Sequence, residues 1–326
     1  MRPAPSVILL TTLIGAGQGL FLALFTVQSY TLVGLLPPAD LRAFYALGSA
    51  IALVFLVAGL VASFFHLGRP ERAWRSAGQW RTSWLSREVI ALPAFMGVVA
   101  LYGLAHALAW TPRIAHGPNG VAVDATFVLG LLGTFVAFAL FVCTAMIYAC
   151  LRFIAEWHTP LTLINYALLG GASGFTLAAA YASQVAPRLV GFLSGWAIVL
   201  TALAAIGRVA SLWRNGRLTP RSTIQSATGI KHPRITQIAQ GFMGSSFNTR
   251  EFFHRQGPRL MRSLKWIFIA LAFVLPLALL AAGIASSSAP LLAGAFAVQY
   301  VGLLVERWFF FAQANHPQNL YYQAIS

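Results

Sequence analysis

Polar residues that can move protons gather in two short segments on either side of one loop. Residues 66–74 read HLGRPERAW, and residues 83–88 read SWLSRE. A neutral imidazole such as that of His66 can accept a hydroxyl proton, and a carboxylate such as that of Glu88 can pass it on to water. Together they suit an amphipathic ring that exchanges protons, and a quinol is such a ring, because its oxidation releases two protons with two electrons.

The same residues also have an interpretation without a ligand. In that interpretation the tryptophans of this region form an aromatic belt at the membrane surface, and the arginines record the orientation of the chain. Glu88 would then be paired with one of those arginines. In the ligand-binding interpretation, Arg72 and Arg87 instead keep Glu88 ionised, because a nearby positive charge favours a carboxylate.

The composition indicates which elements must position these residues. Hydrophobic residues make up 58% of the 326, charged residues 9%, and the mean hydropathy is +0.74, whereas soluble domains carry about 25% charged residues. Apolar runs longer than a β-barrel strand indicate helices, which satisfy their own backbone groups in lipid. The sequence therefore predicts an all-α integral membrane protein with about eight transmembrane helices. The predicted spans are 7–30, 43–65, 89–110, 125–151, 161–183, 189–213, 266–285 and 289–312.

Basic residues are distributed unevenly between the two ends of these spans. All but Arg42, Arg113 and Arg188 of the 22 lysines and arginines fall on the side of the termini and the two long loops. The positive-inside rule then predicts a multi-pass protein of the bacterial cytoplasmic (inner) membrane, with both termini and both loops in the cytoplasm. The net charge of +15 is assigned to orientation, membrane lipid and a docking surface, and not to nucleic acid. Residues 214–264 form the longer basic loop.

A glycine-rich pattern occurs twice along the chain. Residues 14–23 read IGAGQGLFLA, and residues 169–178 read LGGASGFTLA. Four spans separate the copies, so two four-helix halves, 1–155 and 156–326, would have the same topology within one polytopic domain 1–326. Chance repetition in an apolar, glycine-rich chain gives the same pattern, because small residues are common where helices approach closely. Both interpretations stay open.

The sequence argues against a metal cluster, a haem site and a proton-pumping pathway in this chain. Its two cysteines are too few for a metal cluster, which needs about four ligands. The histidines lie near membrane faces or in loops, so we expect no haem. Arg208, Glu306 and Arg307 are expected near helix ends, where long side chains reach the interface. No chain of carboxylates crosses the membrane, which argues against a proton pump.

The segments around residues 65–74 and 83–88 resemble the membrane anchor subunit of dimethyl sulfoxide reductase, the DmsC family. A third segment, residues 241–252 (GFMGSSFNTREF), is similar to a loop motif of that family. The resemblance covers essentially the whole chain. It implies a quinone-reactive subunit, using ubiquinone or menaquinone, that anchors a ferredoxin-like subunit with four iron–sulfur clusters and a molybdopterin catalytic subunit. No haem or iron–sulfur cluster is expected in this chain.

The resemblance also implies which residues bind the quinone. The family's histidine and glutamate match His66 and Glu88, with Gly68 and Arg72 in the same loop. The full predicted quinone site is His66, Gly68, Arg72, Trp84, Arg87 and Glu88. The predicted docking arginines are Arg69, Arg75, Arg250, Arg255, Arg259 and Arg262. The family includes anchors of sulfite dehydrogenases that reduce quinone, and the basic docking face favours this type slightly over a sulfoxide reductase that oxidises quinol.

Two alternatives from other classes stay open. A small-molecule transporter built from a four-helix duplication predicts polar groups and broken helices near the middle of the membrane in both halves. A structural anchor without a redox site predicts that His66 and Glu88 are replaceable.

Overall fold

The computed structural model describes residues 1–37, 39–116, 122–220, 222–239 and 250–322, and most of these are helical. They include eight helices that are long and apolar enough to cross a membrane. The prediction of an all-α membrane protein is confirmed. The eight helices are α1 (Pro5–Leu32), α2 (Arg42–Phe64), α3 (Trp84–Ala107), α4 (Ala125–Ala149), α5 (Pro160–Val185), α6 (Val190–Asn215), α7 (Pro258–Ala285) and α8 (Ala289–Ala312).

The start of α7 differs most from its prediction, and α3 also begins earlier than predicted, at Trp84 instead of residue 89. The sequence places the start of α7 at residue 266, but the helix begins at Pro258. Proline fits the first helical position, because no intrahelical partner is needed for its missing N–H. The additional turns carry exposed Arg259 and Arg262. The charges that suggested a loop belong to the polar face of an amphipathic helix end.

The middle of the bundle is a close crossing of α1 and α5. A methyl group added to Gly19 would overlap the backbone of Gly170, and one added to Gly174 would overlap the backbone of Gly19. The two helices can therefore approach this closely only with glycine at these positions. The two segments that resemble each other in sequence face each other here. The duplication itself remains a prediction.

A proline shapes the middle of α7. Pro276 lacks an N–H and cannot donate to the carbonyl of Ala272 four residues earlier. The helix widens into a π-helical segment at Ala270–Val274, a usual response to such a disruption. The side-chain amide of Gln299 on α8 donates to the Ala272 oxygen at 3.4 Å and to Thr201 Oγ1 at 3.0 Å. Gln299 thus ties α7, α8 and α6 together inside the bundle.

The two ends of the bundle differ in their connections. One end carries the N-terminus, the last described residues and the described parts of both long loops, and we call it the basic face. The first long loop contains a 3₁₀ helix, Pro70–Gln79, and the second contains a one-turn helix, Ile224–Thr228. The opposite end carries a two-stranded antiparallel hairpin of β1 (Arg113–His116) and β2 (Ala122–Asp124). Every candidate site residue lies at or near the basic face.

Candidate functional site

Glu88 is buried near the start of α3. The helix begins after Ser83, whose side chain accepts a hydrogen bond from the backbone N–H of Ser86. One turn further, Glu88 points into the bundle with only 6% of its surface exposed. The hydroxyl of Thr144 on α4 donates to Glu88 Oε1 at 2.5 Å. A carboxyl group is therefore held inside the protein, close to the basic face, by a partner on the neighbouring helix.

The neighbouring arginines do not form ion pairs with this carboxyl group. The guanidinium of Arg87 donates to the backbone oxygens of Trp80 at 2.9 Å and Arg81 at 2.7 Å. It also lies over the Trp84 ring, 4.2 Å from the ring centroid. Arg72 lies 3.8 Å from the adjacent Glu71. The prediction that Glu88 pairs with one of these arginines is wrong within the described chain. Arg87 instead fixes the loop that precedes α3.

His66 lies just beyond the end of α2 and its side chain is exposed. Partial shielding from water by neighbouring groups lowers the pKa of this imidazole below its ordinary value of 6.5, because burial disfavours the charged form. His66 is therefore available as a neutral proton acceptor. Within the described residues no ion-pair contact joins it to Glu88: the histidine is exposed, whereas the carboxyl group is buried.

The loop between His66 and Glu88 is amphipathic. In the 3₁₀ helix Pro70–Gln79, Ala73, Ser76 and Ala77 are half-buried, whereas its arginines and Trp74 are exposed. Exposed tryptophans with arginines beside them are typical of a segment that lies at a membrane surface. Gly68 is exposed too, and a Cβ atom there would meet no neighbour within 4 Å. The space above this glycine is open.

The predicted docking residues are all accessible. Arg69 and Arg75 are exposed in the first loop. The other four, which are also exposed, lie before or at the start of α7: Arg250, Arg255, Arg259 and Arg262. Of the motif at residues 241–252, the part 241–249 lies outside the described residues. The two loops therefore present basic side chains on the same face of the protein.

A buried ionic cluster was missed by sequence reasoning. Arg208 Nε lies 2.5 Å from Glu306 Oε1, and Arg307 Nε lies 2.6 Å from Glu306 Oε2. All three side chains are at most 5% exposed. The Arg307 guanidinium also lies 4.3 Å from the centroid of the Tyr166 ring. The prediction that these long side chains reach the interface is wrong, because they pair with one another across α6 and α8.

Three openings lie at or near this cluster. The central cavity, of about 30 Å³, is lined by Thr144, Tyr166 and Arg307 among others. The ionic cavity, of about 10 Å³, shares Tyr166 and Arg307 with it and is also lined by Glu156 and Asn215. The basic-face cleft, of about 1170 Å³, shares Glu156 and Asn215 with the ionic cavity. Each opening thus shares two lining residues with the next.

Comparison with known proteins agrees with the resemblance seen in the motifs. The DMSO reductase anchor subunit (DmsC) family matches residues 3–321 of the chain. The chain is also 54% identical, over 328 aligned residues, to a subunit of the sulfite dehydrogenase of Allochromatium vinosum, and the alignment covers 100% of both proteins.

Proposed function

Because the chain belongs to the DMSO reductase anchor subunit family, we propose that it is the quinone-reactive anchor of a three-subunit molybdopterin oxidoreductase. It exchanges electrons between the quinone pool and an iron–sulfur subunit, and it holds both soluble subunits at the membrane. The observation that carries this proposal is the buried Glu88 in the first turns of α3, directly after a largely exposed loop that begins at His66.

The chemistry of the exchange explains why both residues are needed. A quinone takes up two electrons and two protons when it becomes a quinol, and it releases both when the quinol is oxidised. When quinol is oxidised, His66, kept neutral by its lowered pKa, accepts a proton from the ring. When quinone is reduced, the imidazole passes a proton from water to the ring. Glu88 supplies the second proton-carrying group, which accepts a proton from quinol or gives one to quinone, and Thr144 holds it in one orientation. Two positioned proton carriers match the two protons of the reaction.

The surroundings of these two residues fit an amphipathic ligand. Phe65, Trp74 and Trp80 are 82%, 71% and 53% exposed, so a lipid-soluble molecule meets apolar side chains as it enters. The open space at Gly68 leaves room for the ring beside His66. Arg72, Trp84 and Arg87 border the loop, and Arg87 keeps it in place through its two backbone contacts.

The basic face suits the docking of the partner subunits. Its exposed arginines favour a partner with acidic patches, since complementary charge steers association. We infer that this partner is the ferredoxin-like subunit with four clusters, that it carries the molybdopterin subunit, and that the basic face is cytoplasmic. Electrons pass between the quinone and the nearest cluster of that partner.

The relative from Allochromatium vinosum favours one direction of electron flow. That protein belongs to a sulfite dehydrogenase, and it is 54% identical to this chain along its whole length. We propose that the present complex likewise oxidises sulfite and reduces quinone. The alternative of a sulfoxide reductase would use the same site in the reverse direction.

Covalent labelling tests the location of the site directly. The parental complex in native membranes is illuminated with a photoreactive ubiquinone analogue, and labelled peptides are identified by mass spectrometry. We expect labels within residues 65–88, and competition by excess unlabelled quinone. The Arg113→Gln variant, changed on the opposite face, is the control and should label like the parent. Labelling confined to other segments would overturn the proposed site.

A further inference from the structure

Buried polar groups on α4, α5 and α8 lie at the same depth as Glu88. Glu88 lies near the start of α3 and Tyr166 near the start of α5, whereas Thr144 and Glu306 lie near the ends of α4 and α8. Each is within roughly two turns of the basic face, or about 10 Å at about 1.5 Å per residue. These groups form one layer across the bundle.

The central cavity has the size and chemistry of a water site. Its volume of about 30 Å³ exceeds the roughly 10–15 Å³ that one water needs. The hydroxyl groups of Thr12 and Ser173 on its wall donate to carbonyls of their own helices, so their oxygen lone pairs can accept from a water. Arg307 Nη1 and Tyr166 Oη are buried there without a well-aligned hydrogen bond to the described residues, although the two side chains also interact with each other.

The ionic cavity is also lined by polar groups, and its volume is at the lower limit for holding one water. Its volume is about 10 Å³. Asn165 Oδ1 and Arg208 Nη2 lie on its wall, buried and without a protein partner in the described part of the chain. A buried water usually makes 2–4 hydrogen bonds to groups of this kind. Glu156 and Asn215 line both the ionic cavity and the basic-face cleft.

We propose that Glu88 exchanges protons with water at the basic face through this layer. The route runs from Glu88 to the Thr144 hydroxyl, through water in the central cavity to Tyr166, and through water in the ionic cavity to Glu156 at the cleft. The cluster of Arg208, Glu306 and Arg307 orders the water and is not itself the carrier. This inference rests on the proposed function, because it supplies the protons for the quinone site.

The proton balance and the charges along the route agree with this role. Reduction of a quinone takes two electrons from the iron–sulfur partner and forms two O–H bonds. Each proton that Glu88 gives up is replaced by one that enters at the cleft. Three carboxyl groups lie along the route, those of Glu88, Glu156 and Glu306, against the two guanidinium groups of Arg208 and Arg307. With the Arg214 guanidinium, which donates to Asn215 Oδ1 at 3.0 Å beside the cleft, the positive and negative groups along the route are equal in number.

Two conservative variants test the route. Tyr166→Phe removes one hydroxyl group and touches no partner of Glu88, whereas Thr144→Val removes the first hydroxyl group of the route. The matched controls are Tyr181→Phe and Thr134→Val. The Tyr181 hydroxyl donates to Phe44 O near the other end of the bundle, and the Thr134 hydroxyl donates to Gly130 O within α4. Neither control residue lines any of the three openings.

The primary measurement does not depend on turnover. After a rapid pH change, time-resolved infrared spectroscopy follows the carboxyl band of Glu88 in the reconstituted complex, and loss of the band in Glu88→Gln assigns it. We expect Tyr166→Phe and Thr144→Val to slow the response by about tenfold or more, and both controls to respond like the parent. Parental rates in both route variants would overturn the proposal.

Activity measurements separate this proposal from the proposed function. Tyr166→Phe should lower kcat for quinone reduction, enlarge its solvent deuterium isotope effect and leave KM for quinone unchanged. If Glu88→Gln abolishes quinone exchange while Tyr166→Phe changes neither kcat nor the isotope effect, the route is wrong and the quinone site stands. If His66→Ala and Glu88→Gln both exchange electrons with quinone at the parental rate, the proposed function is wrong. The infrared measurement then still tests the proton route, because it does not depend on turnover.

Discussion

The hydroxyl of Thr144 donates to the carboxyl group of Glu88 across the interface of α3 and α4. This contact decides which substitution can test the site without damage to the fold. Glu88→Gln keeps an oxygen that accepts from Thr144, so the contact survives and only the acid is lost. Glu88→Ala would leave the buried Thr144 hydroxyl unpaired, at a cost of about 1–3 kcal/mol in folding free energy. A loss of activity in that variant could then come from the damaged packing as well as from the missing acid.

The buried ionic cluster should be a major contributor to stability. Replacement of Glu306 by Gln leaves two buried guanidinium groups without a counter-charge, which costs about 3–5 kcal/mol in comparable buried pairs. Glu71→Gln removes only an exposed partner of Arg72, worth about 0–1 kcal/mol. Thermal unfolding in detergent should show a large drop in Tm for Glu306→Gln and almost none for Glu71→Gln. Equal midpoints in the two variants would contradict the assigned role of Glu306.

The orientation of the chain can be tested with reporter fusions. Because most basic residues lie on the basic face, we expect that face to be cytoplasmic. Alkaline phosphatase, which is active only outside the cytoplasm, should be inactive when fused after Ser326 and active when inserted near Gly117. The reverse pattern of activity would contradict the orientation.

Docking of the soluble subunits should depend on the arginines around the start of α7 as a group. Each exposed ion pair is worth little, so we expect only the combined replacement of Arg250, Arg255, Arg259 and Arg262 by Glu to release the partners, more readily as salt increases. Retention on washed membranes is measured by immunoblotting. The control replaces Arg113 and Arg188 by Glu on the opposite face. Identical retention in the two variants at every salt concentration would count against this docking surface.

The lowered pKa of His66 predicts the shape of the pH profile. Only the neutral imidazole accepts a proton from quinol, and the folded protein keeps it neutral to a pH below its ordinary value of 6.5. The midpoint of the decline in the rate of quinol oxidation on acidification should therefore lie below pH 6.5. The measurement is kcat/KM for a water-soluble quinol with an artificial electron acceptor, which reports groups of the free protein. An inflection above pH 6.5 would show that another group controls this step.

Hydrophobicity and charge were enough to predict the eight spans, because lipid requires long apolar helices. The motifs were enough to predict the family. The partners of the polar side chains could not be predicted, because they depend on which helices become neighbours. Glu88 bonds to Thr144, 56 residues away in sequence, and not to the nearby Arg87. Arg208 on α6 meets Glu306 on α8 because both helices pack against α5. The signal for that cluster was an adjacent Glu306 and Arg307 within an apolar run.

The most direct test of the quinone site compares two kinds of electron exchange in the same membranes. His66→Ala and Glu88→Gln are assembled with the partner subunits and assayed first with a soluble electron carrier and then with quinone. Both variants should keep activity with the soluble carrier and lose electron exchange with quinone, together with the response to a quinone-site inhibitor. If either variant exchanges electrons with quinone at the parental rate, the residue changed in it is not part of the site.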